Sequence, residues 1–246
     1  MKAVFTCGGT GGHINPALAV ARVLLERRPD SEILFVGAED GMEATLVPRE
    51  GFRLETLQIS SYMRSLKPSA IRHNVRAALS IRRALKKADR IIRDFQPDVI
   101  LGTGGYASYP MLHEGARLGI PTAVHESNAV PGLATKMVAD KVDRILVSFA
   151  DSRSAYRDPS RVIAVGMPVR EEFVFTRRAD ARRALGLDEK TPMIVSAWGS
   201  LGAREMNKKI AQFMKLECEQ DCWRHIHATG SFGWRWMPDY VKEQGV

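Results

Sequence analysis

The chain has 246 residues, of which 45% are hydrophobic, 26% charged and 7% aromatic. This composition excludes a disordered chain, a collagen and a coiled coil, and the length suits one large domain or two smaller ones. No apolar run reaches the roughly 18 residues of a membrane-spanning helix. The short apolar run at the amino terminus precedes glycines, which favours a buried strand over a signal peptide. Three cysteines are too few for a disulfide framework, so we expect a reducing compartment.

The net charge of +8 comes from one segment of the chain. Between Tyr62 and Asp94 there are ten basic and two acidic residues, and elsewhere acidic and basic residues are equal in number. A local excess of this kind indicates an anionic surface or ligand beside one element of the fold.

Apolar runs alternate with amphipathic stretches from the first residue onward. The predicted strands are 2–6, 32–36, 53–57, 99–103, 122–125, 144–147 and 162–165, and the predicted helices are 17–27, 42–49, 69–95, 109–118 and 133–140. Pro16 suits the first turn of the first helix. The alternation predicts an α/β fold with a doubly wound parallel sheet, in which ligands bind at the carboxyl ends of the strands.

The pattern changes near Gly166–Pro168 and restarts further along. A linker helix is predicted at 180–187, followed by a strand at 193–197, a glycine-containing turn at 198–202, a helix at 203–216 and a strand at 225–228. We therefore expect a first domain at 1–165 and the first part of a second α/β domain at 166–246. Two strands are few, because sheets usually hold about four to six.

The sharpest motif is GGTGGH at residues 8–13, between the first strand and the first helix. Glycines permit positive φ angles and close approach of a ligand, and a helix N-terminus offers N–H groups that suit phosphate. The motif is neither G-x-G-x-x-G nor a P-loop. His13 is a candidate general base for a sugar hydroxyl, because a helix N-terminus favours the neutral imidazole. The alternatives are a tight turn without a ligand, and a histidine that only caps the helix or holds a ligand.

Two further polar or glycine-rich segments follow predicted strands. Residues 102–108 repeat the glycine turn, so that two turns on neighbouring strand ends would face one diphosphate; the alternative is a structural turn with a packed Tyr106. Residues 125–128 place Glu126 to orient a hydroxyl or a histidine, and Asn128 to bind a donor sugar; the alternative is loop capping. No second carboxylate or histidine at ligand spacing supports a metal site there.

The second predicted domain offers weaker signals. Residues 199–203 would bind phosphate at a helix N-terminus, and Arg170 at the domain junction would meet a leaving diphosphate, with a solvated surface arginine as the alternative. Cys218 and Cys222 with His225 and His227 do not have the usual zinc spacing, so we interpret them as structural.

The helix at 69–95 has a basic stripe. At about 100° per residue, a stripe roughly 60° wide contains Arg72, Arg76, Arg83, Lys87 and Arg90, and apolar residues occupy the other side. Anionic lipid headgroups attract such residues by about 1 kcal/mol each. A solvated face is the alternative, and nucleic acid is disfavoured because no aromatic residues interleave with the basic ones.

Together these motifs resemble the MurG family of bacterial glycosyltransferases. The resemblance runs through GGTGGHINPALAVA, LGTGGYASYP, HESNAVPGLATK, VGMPVREE and GSLGAREMN. Members of that family move N-acetylglucosamine from UDP-N-acetylglucosamine to undecaprenyl-diphospho-N-acetylmuramoyl-pentapeptide (lipid I to lipid II) in peptidoglycan synthesis. The resemblance implies a GT-B architecture, with a complete Rossmann-like acceptor domain and a Rossmann-like donor domain that is incomplete here.

The resemblance also implies roles for individual residues. His13 would be the base that deprotonates the C4 hydroxyl of N-acetylmuramic acid, with Glu126 as a catalytic helper and inversion at the anomeric carbon. Donor contacts are implied for Thr10, Gly11, Gly12, Asn128, Arg170 and Ser200. Acceptor-diphosphate contacts are implied for Gly8, Gly9, Gly104, Gly105 and Tyr106. No cofactor or metal is implied, because helix dipoles and cationic side chains stabilise the departing UDP in GT-B enzymes, and the basic stripe would lie peripherally on the cytoplasmic face of the plasma membrane.

Two departures from the family pattern modify this expectation. Trp198 stands where the family usually has glycine, so the third turn is expected to be crowded. The chain is also shorter than the family's members, and the part beyond it would carry uracil and ribose contacts, so we expect weak donor binding. Two alternatives stay open: an impaired remnant that binds only the diphospholipid, and a UDP-sugar epimerase of the same architecture.

Overall fold

The computed structural model describes residues 1–59, 68–199, 202–220 and 223–245. It forms two compact units, Met1–Val174 and Phe175–Val246. The first unit contains a seven-stranded parallel sheet in the order β3-β2-β1-β4-β5-β6-β7. Its strands are β1 (Lys2–Thr6), β2 (Glu32–Ala38), β3 (Arg53–Leu57), β4 (Val99–Gly102), β5 (Thr122–Glu126), β6 (Arg144–Val147) and β7 (Val162–Ala164). The predicted parallel α/β sheet is therefore confirmed.

Apolar side chains on both faces of the sheet explain why its strands are continuous hydrophobic runs. The α-helices of this unit are α1 (Gly11–Arg27), α2 (Glu43–Arg49), α3 (Pro68–Phe95), α4 (Ser108–Arg117) and α5 (Leu133–Val138), and α6 (Glu171–Phe175) crosses the boundary between the units. Val4 and Leu34 pack on one face with residues of α3 and α4, whereas Phe5 and Phe35 pack on the other with residues of α1. The order of the strands reverses between β1 and β4, and this reversal is where ligands bind in such sheets.

Helix α1 begins at Gly11 and not at residue 17, so its predicted start is wrong. Glycine and proline disfavour helix interiors, which is why the sequence indicated a later start. The backbone N–H groups of His13 and Ile14 donate to the carbonyl of Thr10 at 3.0 and 3.2 Å, and Ile14 is buried in the core. Tertiary burial therefore overrides propensity, and His13 lies in the first turn of the helix.

Helix α3 divides its faces as the spacing predicts, within the part whose side chains are described. Ala84, Ala88 and Ile92 are buried against the sheet, and the long cationic side chains that are exposed include Arg83, Lys87 and Arg90. The side chains of Arg72 and Arg76 lie outside the described residues. Across the described residues, no helix combines the length and the apolar character that crossing a membrane requires.

The second unit contains a two-stranded parallel sheet. Its elements are α7 (Arg178–Ala184), β8 (Met193–Ala197), α8 (Arg204–Gln220), β9 (Arg224–Ala228) and α9 (Met237–Glu243). His225 and His227 both contact the Ser196 hydroxyl at 2.7 Å, and Nδ1 of His225 lies 2.6 Å from Glu217. This polar network holds the two histidines within the unit, whereas Cys222 lies outside the described residues.

The turns that follow β1 and β4 are in direct backbone contact. Gly105 has φ +81° and lies so close to the carbonyl of Gly8 that a Cβ at position 105 would overlap it. Only glycine combines this conformation with this approach. The two predicted ligand turns therefore pack directly against each other at the point where the strand order reverses.

We expect Gly105→Ala to lower the free energy of unfolding by about 3 kcal/mol, because it adds a steric overlap to the strain of a positive φ. Gly119→Ala is the matched control: Gly119 has φ +74° and open space around its Cα, so its cost should be that of φ strain alone, about 1 kcal/mol. Denaturant unfolding of the full chain measures both, and equal losses would contradict the close contact.

Candidate functional site

The site is built on the hydrogen bonds that join the turn after β4 to the start of α1. The backbone N–H of Thr103 donates to the carbonyl of Thr6 at 3.0 Å, and its hydroxyl donates to the carbonyl of His13 at 2.6 Å. Thr103 is buried. These bonds hold the two glycine turns against each other at the carboxyl ends of neighbouring strands.

The imidazole of His13 has a defined orientation. Its Nδ1 lies 3.0 Å from the carbonyl oxygen of Gly8. A carbonyl only accepts hydrogen bonds, so Nδ1 carries the hydrogen, and in the neutral ring Nε2 carries the lone pair. The ring also lies against Gly104, where a Cβ would be 2.9 Å from its Cδ2. His13 is therefore held in the protonation pattern that a general base acting through Nε2 requires.

Glu43 is the site residue that the sequence analysis missed. Its side chain is fully buried at the start of α2, and its two carboxylate oxygens accept from the backbone N–H groups of Gly9 at 3.2 Å and Ala38 at 2.7 Å. Gly37 and Gly41 leave room for it, because a Cβ at either position would overlap the Glu43 side chain. Two glycines shortly before an acidic residue, the first near the end of a strand and the second just after it, were the available signal.

The negative charge of Glu43 affects the pKa values of two neighbouring groups. Burial raises the pKa of the Cys7 thiol, and the negative charge of Glu43 adds to that rise. Burial also raises the pKa of the Tyr106 hydroxyl, again with a contribution from Glu43 and a smaller one from Asp40. Both groups therefore stay protonated at neutral pH, and Tyr106 presents a neutral hydroxyl beside the turns.

Glu126 organises the loop that follows β5. Its buried carboxylate accepts from the backbone and the side-chain amide of Asn128 at 2.9 and 2.7 Å, from the backbone of Gly132 at 2.9 Å and from the hydroxyl of Thr135 at 2.6 Å. Burial works to raise the pKa of this carboxyl, but these hydrogen bonds outweigh it and hold the pKa below its usual value. Both oxygens are engaged within the loop, which makes Glu126 an anchor of the segment that carries Asn128.

A cleft of about 320 Å³ brings several of the predicted residues together. Its lining includes His13, the turn at residues 104–106, Glu126 and Asn128, with apolar side chains such as Leu133 completing it. Thr10, Gly11 and Gly12 lie next to it, because they form the N-terminus of α1 and the Thr10 hydroxyl is 3.4 Å from Nδ1 of His13.

The remaining predicted residues lie elsewhere. The guanidinium of Arg170 stacks on the ring of Phe173 at 5.1 Å, within the first unit. Ser200 lies outside the described residues, and Trp198 is partly exposed at the end of β8. A second cleft of about 510 Å³ beside the amino ends of β2 and β3 is lined by Arg53, Arg83, Lys86, Lys87 and Arg90 among others. The basic stripe thus extends to the amino ends of these strands, whereas the glycine turns lie at the carboxyl ends of β1 and β4.

We expect Glu126→Gln to lower the free energy of unfolding by about 2 kcal/mol at neutral pH, because an amide places an N–H group against backbone or hydroxyl donors. A lowered pKa means that the ionised carboxylate stabilises the fold above its unfolded-state pKa, and that this stability is lost as the pH falls through the folded-state pKa. The difference from the unsubstituted chain should therefore shrink as the pH falls below about 4.5. Denaturant unfolding across this range tests it, with the exposed Glu26→Gln as control; a pH-independent difference would contradict it.

Sequence comparisons identify relatives of this chain. The profile described as the glycosyltransferase family 28 N-terminal domain matches residues 3–147. A protein of Acetivibrio thermocellus is 39% identical over 230 residues, covering 94% of this chain and 61% of the relative. One of Caldanaerobacter subterraneus is 37% identical over 246 residues, covering 100% of this chain and 66% of the relative. Both are named UDP-N-acetylglucosamine–N-acetylmuramyl-(pentapeptide) pyrophosphoryl-undecaprenol N-acetylglucosamine transferase, and the chain spans less than two thirds of either.

Solved structures share the fold. The crystal structure of MurG from Acinetobacter baumannii matches with a TM-score of 0.64 and 22% identity, covering 98% of this chain and 64% of that one. UDP-GlcNAc 2-epimerase from Neisseria meningitidis matches with a TM-score of 0.61 and 14% identity, covering 99% of this chain and 69% of that one. At such identities the likeness shows the fold alone, and it confirms the predicted GT-B class.

The profile match covers the sheet and both glycine turns, and the two relatives confirm the resemblance to the MurG family that the motifs indicated. The chain belongs to glycosyltransferase family 28.

Proposed function

We propose that this chain is an inverting hexosyltransferase. The reaction moves N-acetylglucosamine from UDP-N-acetylglucosamine to the C4 hydroxyl of undecaprenyl-diphospho-N-acetylmuramoyl-pentapeptide, which converts lipid I to lipid II. The names of the relatives give the substrates. The observation that carries the proposal is the orientation of His13, whose Nδ1 is bonded to Gly8 so that Nε2 is the basic nitrogen beside a cleft.

In this proposal the reaction is a direct displacement. Nε2 of His13 accepts the proton of the acceptor hydroxyl as its oxygen attacks the anomeric carbon of the donor sugar. The bond between that carbon and the UDP oxygen breaks, the electron pair leaves with UDP, and the configuration inverts. The imidazolium then releases its proton to solvent. Nδ1–H keeps its bond to Gly8 throughout, so the ring does not have to reorient.

Backbone N–H groups in the turns and at the N-terminus of α1 would bind the anionic groups of the substrates. The first N–H groups of a helix have no partner within it, which leaves those of Gly11 and Gly12 as donors to a diphosphate or a departing nucleotide. The N–H of Gly9 points to Glu43 instead. The turn at Gly104 and Gly105 offers the second contact with the acceptor diphosphate, beside the Tyr106 hydroxyl.

Other residues complete the assignment. Glu126 is a positioning residue, because its oxygens hold the loop that presents Asn128 to the donor sugar. Arg170 and Ser200 stay predicted donor contacts. In this proposal the exposed basic stripe of α3 meets anionic lipid headgroups. The enzyme would then lie peripherally on the cytoplasmic face of the plasma membrane, where its lipid-linked acceptor lies.

Substituting His13 tests the reaction. With UDP-N-acetylglucosamine and a soluble analogue of the lipid acceptor, His13→Ala should lower kcat by about 10²-fold or more, the usual contribution of a general base, while the KM for the donor stays nearly unchanged. Asn15→Ala, on the exposed side of the same helix turn, is the control and should leave both constants unchanged. A loss confined to KM would reassign His13 to binding.

Calorimetric titration separates the enzyme from the alternative of a binding remnant. The proposal expects heat of binding for the acceptor analogue and weaker binding of UDP-N-acetylglucosamine, detectable at millimolar concentration. Binding of the acceptor without any donor binding at millimolar concentration would leave this chain as a diphospholipid-binding remnant. Conversion of the donor to its 2-epimer without acceptor would instead identify an epimerase.

Reversing the stripe tests the membrane surface. The triple variant Arg83→Glu, Lys87→Glu, Arg90→Glu should weaken sedimentation with phosphatidylglycerol vesicles roughly a hundredfold, because each cation contributes about 1 kcal/mol. The control reverses Arg27, Arg28 and Arg49, which are also exposed, for the same change in net charge. Equal losses in the two variants would show that only net charge matters, and unchanged binding would remove the surface from the proposal.

A further inference from the structure

Glu43 and His13 bond to opposite ends of a single peptide group. The N–H of Gly9 donates to Oε2 of Glu43 at 3.2 Å, and the carbonyl of Gly8, which belongs to the same peptide unit, accepts from Nδ1–H of His13 at 3.0 Å. In a trans peptide the N–H and the C=O point in opposite directions, and the described chain contains no cis peptide bond. The carboxylate and the imidazole are therefore joined through one amide.

We propose that Glu43 is a positioning residue for His13 and acts through the Gly8–Gly9 peptide. This role in catalysis depends on the function proposed above. The carboxylate does for the histidine what the acidic member of a catalytic triad does, but with an amide interposed. It fixes the peptide, the peptide fixes the Nδ1–H form of the ring, and Nε2 is left to accept the proton of the acceptor alcohol.

Consecutive hydrogen bonds that share one peptide group strengthen each other. A carboxylate that accepts from the N–H of an amide draws negative charge toward the carbonyl oxygen, which then becomes a better acceptor for Nδ1–H. When Nε2 takes up a proton, the same polarised carbonyl stabilises the imidazolium. No proton crosses the peptide: the alcohol proton stays on Nε2 until solvent removes it.

The burial of Glu43 supports a role beyond packing. A fully buried carboxylate loses its hydration, which is costly unless hydrogen bonds or a cation replace it. Within the described part of the chain, no lysine, arginine or histidine forms an ion pair with Glu43, and the two backbone N–H groups are its hydrogen-bond donors. An apolar side chain would fill the same space without this cost.

The glycines around the peptide explain how the arrangement is held. A Cβ at Gly8 would overlap Oε1 of Glu43, and a Cβ at Gly105 would overlap the carbonyl of Gly8. Gly9 has φ +90°, a conformation that favours glycine, and its N–H donates to the carboxylate. The peptide is thus clamped between α2 and the turn after β4, so that its orientation does not depend on a bound substrate.

The tautomer of His13 is the direct readout, and it needs no turnover. In the full chain labelled with ¹⁵N-histidine, two-bond ¹H–¹⁵N correlation spectra above neutral pH should show His13 in the Nδ1–H form; His13→Gln identifies its signals. Glu43→Gln should convert it to a mixture of tautomers, because the neutral amide places an NH₂ group against a backbone donor and no longer polarises the peptide. Glu39→Gln removes the same charge from an exposed neighbour and should leave the spectrum unchanged.

Several outcomes would overturn the inference. An Nε2–H form in the unsubstituted chain removes the bond to Gly8, and an unchanged Nδ1–H form in folded Glu43→Gln removes the role of Glu43. Should Glu43→Gln not fold, Glu43→Asp retains the charge and should retain the Nδ1–H form; its loss in a folded Glu43→Asp would contradict the proposal.

Kinetics connect the inference to catalysis. Glu43→Gln should lower kcat roughly tenfold, a part of the general-base contribution, with the KM values for both substrates nearly unchanged. A chain that shows the Nδ1–H form but transfers no sugar contradicts the proposed function only. A chain that transfers sugar with His13 in the Nε2–H form contradicts this inference and the role of Nε2 as the base, but leaves the proposed transfer reaction in place.

Discussion

The close contact between the backbones of Gly8 and Gly105 is the constraint on which the candidate site depends. It is available because β1 and β4 are neighbours in the sheet and their carboxyl ends meet at one edge. A side chain at either glycine would separate the turns and displace the peptide to which His13 is bonded. The packing of the two backbone turns therefore sets the positions of the side chains in the site.

Two buried carboxylates stabilise this edge of the sheet in the same way. Glu43 bonds the turn after β1 to the end of β2, and Glu126 bonds the loop after β5 to the start of α5. Each accepts from backbone N–H groups that a loop would otherwise leave unpaired. The resemblance implies that Glu126 is a catalytic helper; its oxygens accept four hydrogen bonds from Asn128, Gly132 and Thr135, so in the structure it anchors this loop to α5.

Helix α3 and the glycine turns attract anions in the first unit by different means. The turns contain no lysine or arginine, so an anion there relies on amide dipoles. The cations are spread along α3 and reach the cleft at the opposite edge of the sheet. Such a distribution suits an extended anionic surface better than a single phosphate group.

The sequence by itself determined the strand–helix alternation, both glycine turns and the basic stripe, because apolar periodicity and glycine content are local properties of the chain. It also indicated His13, and the resemblance of its motifs led to the correct family. Only the tertiary structure decided that α1 begins at Gly11 and that both carboxylate oxygens of Glu126 accept hydrogen bonds from the segment that follows it. It also decided that Glu43 accepts a hydrogen bond from the N–H of Gly9. Burial and hydrogen bonding between residues distant in sequence, such as Glu43 and Gly9, set these features, and no local pattern encodes the distance between them.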